Sequence, residues 1–406
     1  MGLVRESRHA DLIDIHRYPA HPQRVPAGSG GGGATEWRIP RGSMTGRRYG
    51  ALESIARWRV AGKPFGVGEF DLNPPDDFNG ETLTMFSTLA AYQGWDALAE
   101  YAWLNFQNGA YNPDRMRHPF ATAGNPAQVA TIPAAAPAFR QGLIEPARHR
   151  RTLTVPKRTL REGGRTFDAV DHVWRPFGVT ADDAWRGGLA LRIDPDAATP
   201  SLSAAADGAG AGAEPDPPPA RPIVSDTDQL TLHRHRADAT ALTVNAPALR
   251  VAVGKIAGRE HVLGNATFRV GPAGPATPAA DGFANVSLVA LDGRPVGQSR
   301  RLLLTAVARV ENAGSRFNAA RTRLGPDWGA GPTLCEPVRL TVTLPESPWA
   351  VTALDDAGRP AGVVARHPTT FKLDERARAL SSLVERAGGG AGLGAAPAAG
   401  PAAAPR

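Results

Sequence analysis

Gly62-Lys63-Pro64-Phe65-Gly66-Val67-Gly68-Glu69-Phe70 is the segment whose reading decides the fold. Pro64 to Phe70 is an apolar run bounded by proline and glycine, the pattern of a buried strand. Period-two alternation puts Phe65, Val67 and Glu69 on one face. A carboxylate ending an apolar strand is costly to bury unless it is paired or functional. Glu69 therefore reads either as a structural ion pair or as a group kept for chemistry.

The segments on either side alternate between strand and helix. Upstream, Ala51 to Val60 has Leu52, Ile55, Ala56 and Arg59 at helical spacing and ends at Gly62. Before it, Asp11 to Tyr18 reads as a strand, with Leu12, Asp14, His16 and Tyr18 on one face and Ile13 and Ile15 on the other. Asp14 and His16 either hydrogen-bond each other or belong to a polar site. Downstream, Thr82 to Gln93 is helical with Gly94 as its C-cap. Trp95 to Asn105 follows as a strand with Ala99, Tyr101 and Trp103 on one face. Gln128 to Phe139 forms a last helix interrupted by prolines. Strands alternating with helices imply a parallel sheet. In a parallel barrel the last inward residue of a strand sits at the C-terminal mouth, where active sites lie. Aromatics there, such as Tyr101 and Trp103, either stack on sugar rings or fill the core. Trp37 and Trp95 are weaker candidates.

Past residue 150 the pattern changes to short alternating segments. These are Thr152 to Val155, Leu189 to Ile193, Gln229 to Leu232, Leu242 to Val244, Val251 to Ile256, Asn285 to Ala290, Arg301 to Arg309, Val338 to Leu344 and Trp349 to Leu354. Turn dipeptides such as Asp292-Gly293 separate them, as in an antiparallel sandwich or barrel. Gly28 to Gly33 is a glycine loop, Ala204 to Pro222 a linker, and Gly388 to Arg406 an Ala/Gly/Pro tail expected to be disordered.

Composition excludes several function classes. The net charge of +7 comes mostly from arginine spread along all 406 residues, with no basic stripe, so nucleic acid is not an expected partner. No run approaches the ~20 apolar residues of a membrane span. Met1 to Asp14 is charged throughout and has no signal-peptide core. The single cysteine, Cys335, leaves the compartment open, and no Cys/His cluster has zinc spacing.

The Gly62–Phe70 run, continued by Asn73-Pro74-Pro75-Asp76-Asp77-Phe78, resembles the seventh-strand nucleophile motif of clan A glycoside hydrolases. Ala10 to Tyr18 with His21-Pro22 resembles the sixth strand of a bacterial group within that clan. Leu89 to Asp96 resembles the approach to its eighth strand, and Pro133 to Gly142 its closing helix. Val224 to Thr227, Ser287 to Gly293 and Ser299 to Thr305 carry the likeness into the later part of the chain. The fold this implies is α/β plus all-β: strands six to eight of an incomplete (β/α)8 TIM barrel, then an antiparallel β-sandwich. The boundaries expected are 1–145 for the partial barrel, 146–203 for a short β region, 204–222 for the linker, 223–380 for the sandwich and 381–406 for a disordered tail.

The resemblance implies retaining hydrolysis of glycosidic bonds in an oligo- or polysaccharide, with no cofactor. Glu69 would be the nucleophile and Tyr18 its hydrogen-bond donor, since a hydrogen bond to the charged form favours ionisation. His16 would line the sugar site, Trp103 would lie beneath the sugar, and Tyr101 and Trp37 would add binding surface. A second carboxylic acid about 5–5.5 Å away would act as acid and base. In the clan that acid is a glutamate preceded by asparagine, and this chain contains no Asn-Glu pair. It starts, by resemblance, at the sixth strand. The acid is therefore expected on a missing N-terminal half, and the chain alone is expected to be inactive. Gly68 stands where the family has Ser or Thr, and Phe70 where it has Tyr. The parent enzyme is expected to be secreted or periplasmic, because polysaccharides lie outside the cell. The competing expectation is a non-catalytic β-sandwich that binds carbohydrate or packs against a barrel.

Overall fold

Phe65–Phe70 is the middle strand of a three-stranded parallel sheet, between Ile13–His16 and Ala97–Glu100, in a computed structural model of the chain. The structure describes residues 7–26, 35–46, 50–104, 114–162, 173–203, 221–272, 282–344, 348–366, 368–374 and 379–386. The glycine loop at 28–33, nearly all of the linker and the tail from 388 lie outside these residues.

The sheet departs from simple alternation at Gly68. Ile15 lies opposite Val67, but His16 lies opposite Glu69, so the central strand carries one extra residue. A bulge of this kind re-aims the side chains beyond it. Phe65 and Val67 join Ile13 in the core, whereas Glu69 meets His16 on the other, half-exposed face. The expectation that Phe65, Val67 and Glu69 share a face is thereby corrected: one inserted residue inverts a period of two.

Helices Ala51–Trp58 and Thr82–Gln93 connect the three strands, and Gly94 ends the second at φ 64°. A third helix, Pro126–Arg140, begins at Asn125, whose side chain caps the Gln128 amide, and it tolerates Pro133 and Pro137. Phe70 stacks on Phe86 at 4.1 Å, and Phe65 meets Trp95 edge-on, which fixes the strands to the helix layer.

The largest element is a nine-stranded antiparallel sheet. Its order runs Pro360–Arg366, Trp349–Leu354, Ser381–Arg386, Arg301–Val307, Phe283–Ala290, Leu249–Lys255, Ala241–Ala246, Leu230–His233 and Ile223–Val224. A four-stranded antiparallel sheet packs on one side of it. Ala284, Val286, Leu288 and Ala290 point into that interface, while Phe283 and Val289 point to the helices. Asn285 bonds to the Gly80 carbonyl at 2.9 Å and to Thr84 at 2.8 Å.

These features overturn the barrel expectation. The described residues are 39% strand and 18% helix, dominated by antiparallel pairing, and among them the sheet built on Phe65–Phe70 has three strands and does not close. Strand–helix alternation is a local property, whereas barrel closure depends on which strands meet across the sheet. Two further expectations are corrected. The 146–203 region holds a parallel pair, Arg150–Pro156 beside Gly188–Asp194, with the helix Lys157–Glu162 between them, because its apolar strands feed a crossover rather than a hairpin. Ser381–Arg386, assigned to the tail, is an interior strand of the nine-stranded sheet, and Val384 there is fully buried. One continuous core also runs from Ile13 through Leu189 to Val253 and Leu303, so 1–145 and 223–380 share a single interior.

Candidate functional site

Glu69 ends the central parallel strand, and the neighbouring chain segment supplies its partners. The Tyr18 hydroxyl donates to Glu69 Oε2 at 2.8 Å. His16 Nδ1 lies 3.5 Å from Glu69 Oε1, and its Nε2 lies 3.0 Å from Asp14 Oδ2. The Arg17 amide donates to the Glu69 carbonyl, locking the two segments in register. Burial, the hydrogen bond to Glu69 and the nearby negative charges all raise the Tyr18 pKa, so the phenol stays protonated and donates.

Gly68 makes room for this arrangement. A Cβ there would lie 2.5 Å from Asp14 Oδ2 and 2.7 Å from Oδ1. Any side chain would displace the Asp14 carboxylate from beside His16. Gly68 is thus matched to Asp14 in this chain.

Aromatic rings wall the site. Tyr18 lies 4.3 Å from the His21 ring and 5.6 Å from Phe120, and Phe120 lies 5.8 Å from Tyr101. His118 lies 5.6 Å from Phe120 and accepts the Phe120 amide on Nδ1. Asn73 donates to the Pro119 carbonyl at 2.6 Å, anchoring this loop to the strand end.

Asp71 follows the central parallel strand, and Glu100 ends the third. Asp71 is fully buried, accepting from Gln128 Nε2 at 2.5 Å and from Asn73 Nδ2 at 3.4 Å. Glu100 accepts from the Thr122 hydroxyl. Burial, then the Glu100 charge, push the Asp71 carboxyl well above the usual range, and burial also raises Glu100.

The structure thus brings Glu69, Tyr18 and His16 together, with Tyr101 reaching them through Phe120. Trp103 is 51% exposed and makes none of the ring contacts described above. Trp37 packs edge-on to Trp328 at 5.4 Å on a small sheet formed with Gln23–Pro26 and Arg323–Leu324. Its strand pairs with a part of the chain nearly 300 residues away, a partner that sequence spacing does not reveal. Sequence reasoning also missed Phe120 as a wall and the hydrogen bond from Gln128 to the buried Asp71. His21 was visible only as part of a His-Pro pair, and Phe120 carries no local signal. Among the described residues, no group of three or more His, Cys, Asp or Glu is placed to hold a metal ion. Compared with family models, curated proteins and solved structures, the chain finds no match.

Proposed function

We propose that the Glu69 face performs the nucleophilic half of retaining glycoside hydrolysis. The observation that supports this reading is the half-exposed Glu69 carboxylate, held by the Tyr18 hydroxyl at 2.8 Å at the end of an apolar strand and open to the Tyr18–His21–Phe120 wall. In this reading Glu69 attacks the anomeric carbon of a sugar. The bond to the leaving oxygen breaks as the glycosyl ester forms, and water then hydrolyses the ester. Tyr18 orients the attacking carboxylate, and the aromatic rings offer apolar surface to the C–H face of a pyranose. The other carboxyls here are already engaged: Asp14 with His16, Asp71 with Gln128 and Asn73, Glu100 with Thr122. The half-reaction is therefore best tested with a leaving group that departs without protonation.

The test is incubation of the chain with a panel of dinitrophenyl 2-deoxy-2-fluoro-glycosides, followed by intact and peptide mass spectrometry. The expected outcome is one glycosyl unit on the peptide carrying Glu69, absent in Glu69→Gln. Tyr18→Phe should slow labelling by about ten- to a hundredfold, the rate equivalent of losing a charge-assisted hydrogen bond of roughly 1.5–3 kcal/mol. No labelling by any sugar, or labelling that survives Glu69→Gln, would reject the proposal.

A further inference from the structure

Arginines scattered along the sequence are gathered by the register of the nine-stranded sheet. Arg301 pairs with Glu385, Glu385 with Ala350, and Ala350 with Arg366, so these residues form one row across four adjacent strands. Directly opposed residues of an antiparallel sheet share a face. Arg301 and Arg366 therefore stand on one face about 14 Å apart, three strand spacings of roughly 4.8 Å. Between them, Glu385 Oε1 lies 3.2 Å from Arg301 Nε. The loop that leads into Arg301–Val307 adds Arg294 and Arg300 at the same end of the sheet. It is folded by the Asp292 carboxylate, which accepts the Arg294 amide at 3.3 Å and the Arg300 amide at 2.9 Å. Arg386 completes this rim. Its guanidinium donates to the Ser299 and Gly297 carbonyls and lies 4.8 Å over the Trp349 ring.

Three of the cations are uncommitted. Arg294, Arg300 and Arg366 are exposed, and their guanidinium groups have no hydrogen-bond or ion-pair partner among the described residues. The acids Asp292 and Glu385 are both engaged, one by backbone amides and the other by Arg301. The rim thus carries a surplus of positive charge, which attracts anions and is screened by salt.

We propose that this rim binds an acidic polysaccharide, a chain of hydroxyl-bearing sugars with carboxylates spaced along it. A guanidinium takes a carboxylate through two parallel hydrogen bonds. Glu385 interrupts the row between Arg301 and Arg366, so the ligand has to offer anions to the arginines and hydroxyl donors to the acid. A uronate chain does both. A nucleic-acid strand, with a charge every ~3.4 Å, would set phosphates against Glu385. Its bases would also lack an exposed ring to stack on, since Trp349 is 1% exposed beneath Arg386. Binding at the rim goes beyond the chemistry read for Glu69 and does not depend on it.

The experiment is affinity electrophoresis and titration calorimetry of the full chain with polygalacturonate, with dextran as the uncharged comparison. The expected result is binding to polygalacturonate at low ionic strength, none to dextran, and loss of binding in high salt. Arg300→Ser combined with Arg366→Ser should weaken binding about tenfold, as expected for two charge-assisted contacts. Arg192→Ser combined with Arg316→Ser removes the same charge from exposed positions outside the nine-stranded sheet and should weaken it less than about twofold. All four side chains are exposed, so both proteins are expected to keep the fold. Equal losses in the two double variants would overturn the proposal, because the attraction would then come from net charge alone. Absence of binding to polygalacturonate would overturn it too. So would tighter binding to single-stranded DNA that the rim variant abolishes, which would give the rim a nucleic-acid partner instead. Binding is read without turnover, so failure of glycosyl labelling at Glu69 leaves this test intact.

Discussion

The two main sheets of this protein reverse the usual relation between strand direction and burial. Parallel sheets are ordinarily covered on both faces, and antiparallel ones often leave one face to water. Here the parallel sheet leaves one face open: Leu12 is 42% exposed, and Asp14, His16, Ala97 and Ala99 are exposed beside it. The nine-stranded antiparallel sheet is covered on both sides at its centre, where every residue of Phe283–Ala290 is buried between the helices and the second sheet. The difference teaches where polar chemistry can persist. Glu69, His16 and Asp14 sit on the one sheet face where half-exposure spares them full desolvation, while Asn285 on the covered sheet needs two dedicated acceptors.

The sharpest way to break this comparison is to truncate an apolar residue of the covered sheet. Leu288 is fully buried in the interface between the two antiparallel sheets. Leu288→Ala should cost about 2–5 kcal/mol in equilibrium denaturation, from lost transfer energy plus the cavity. A loss below about 1 kcal/mol would mean that the interface collapses around the gap.

The second test uses pH. His261, on the edge strand Glu260–Leu263 of the four-stranded sheet, is pushed down from 6.5 to about 4, by burial first and then by the His233 and Arg259 charges. Folded His261 is neutral where the unfolded chain takes up a proton. Stability is therefore full above about 6.5 and falls as pH drops from 6.5 toward 4, by roughly 3 kcal/mol over that window. His261→Gln should flatten the slope of denaturation free energy against pH. A slope unchanged by the substitution would place the acid sensitivity elsewhere.

The smallest effect is expected on the open face. Leu12→Ser should change stability by no more than about 0.5 kcal/mol, as is usual for exposed positions. A loss comparable to that of Leu288→Ala would show that something covers the open face in solution, and the contrast between the sheets would disappear.

How much was legible in sequence can be judged residue by residue. The helix at Thr82–Gln93 and its Gly94 cap follow from a local pattern and a local steric rule, and both are found. The row Leu12, Asp14, His16 on one side of Ile13 follows from a period of two and is also found. Glu69 stands out because a charge ending an apolar run is conspicuous. Its orientation departs from the period-two expectation, because a bulge changes phase by one residue without altering the amino acids around it. Phe120 and Trp37 mark the other limit: one lies in a loop about 50 residues from Glu69, and the other pairs with Arg323–Leu324 near the far end of the chain.

The sequence by itself determined the elements whose signals are short-range: an apolar strand with a terminal carboxylate, an amphipathic partner strand, capped helices, and a long run of alternating strands after residue 150. Only the tertiary structure decided that the parallel sheet around Phe65–Phe70 has three strands among the described residues, that Ser381–Arg386 completes an antiparallel sheet, and that Phe120 stands beside Tyr18. The reason is physical. Side-chain periodicity and capping are fixed by neighbours within a few residues, whereas sheet closure, strand order and the pairing of buried charges are set by contacts between segments far apart in the chain, for which local pattern carries no record.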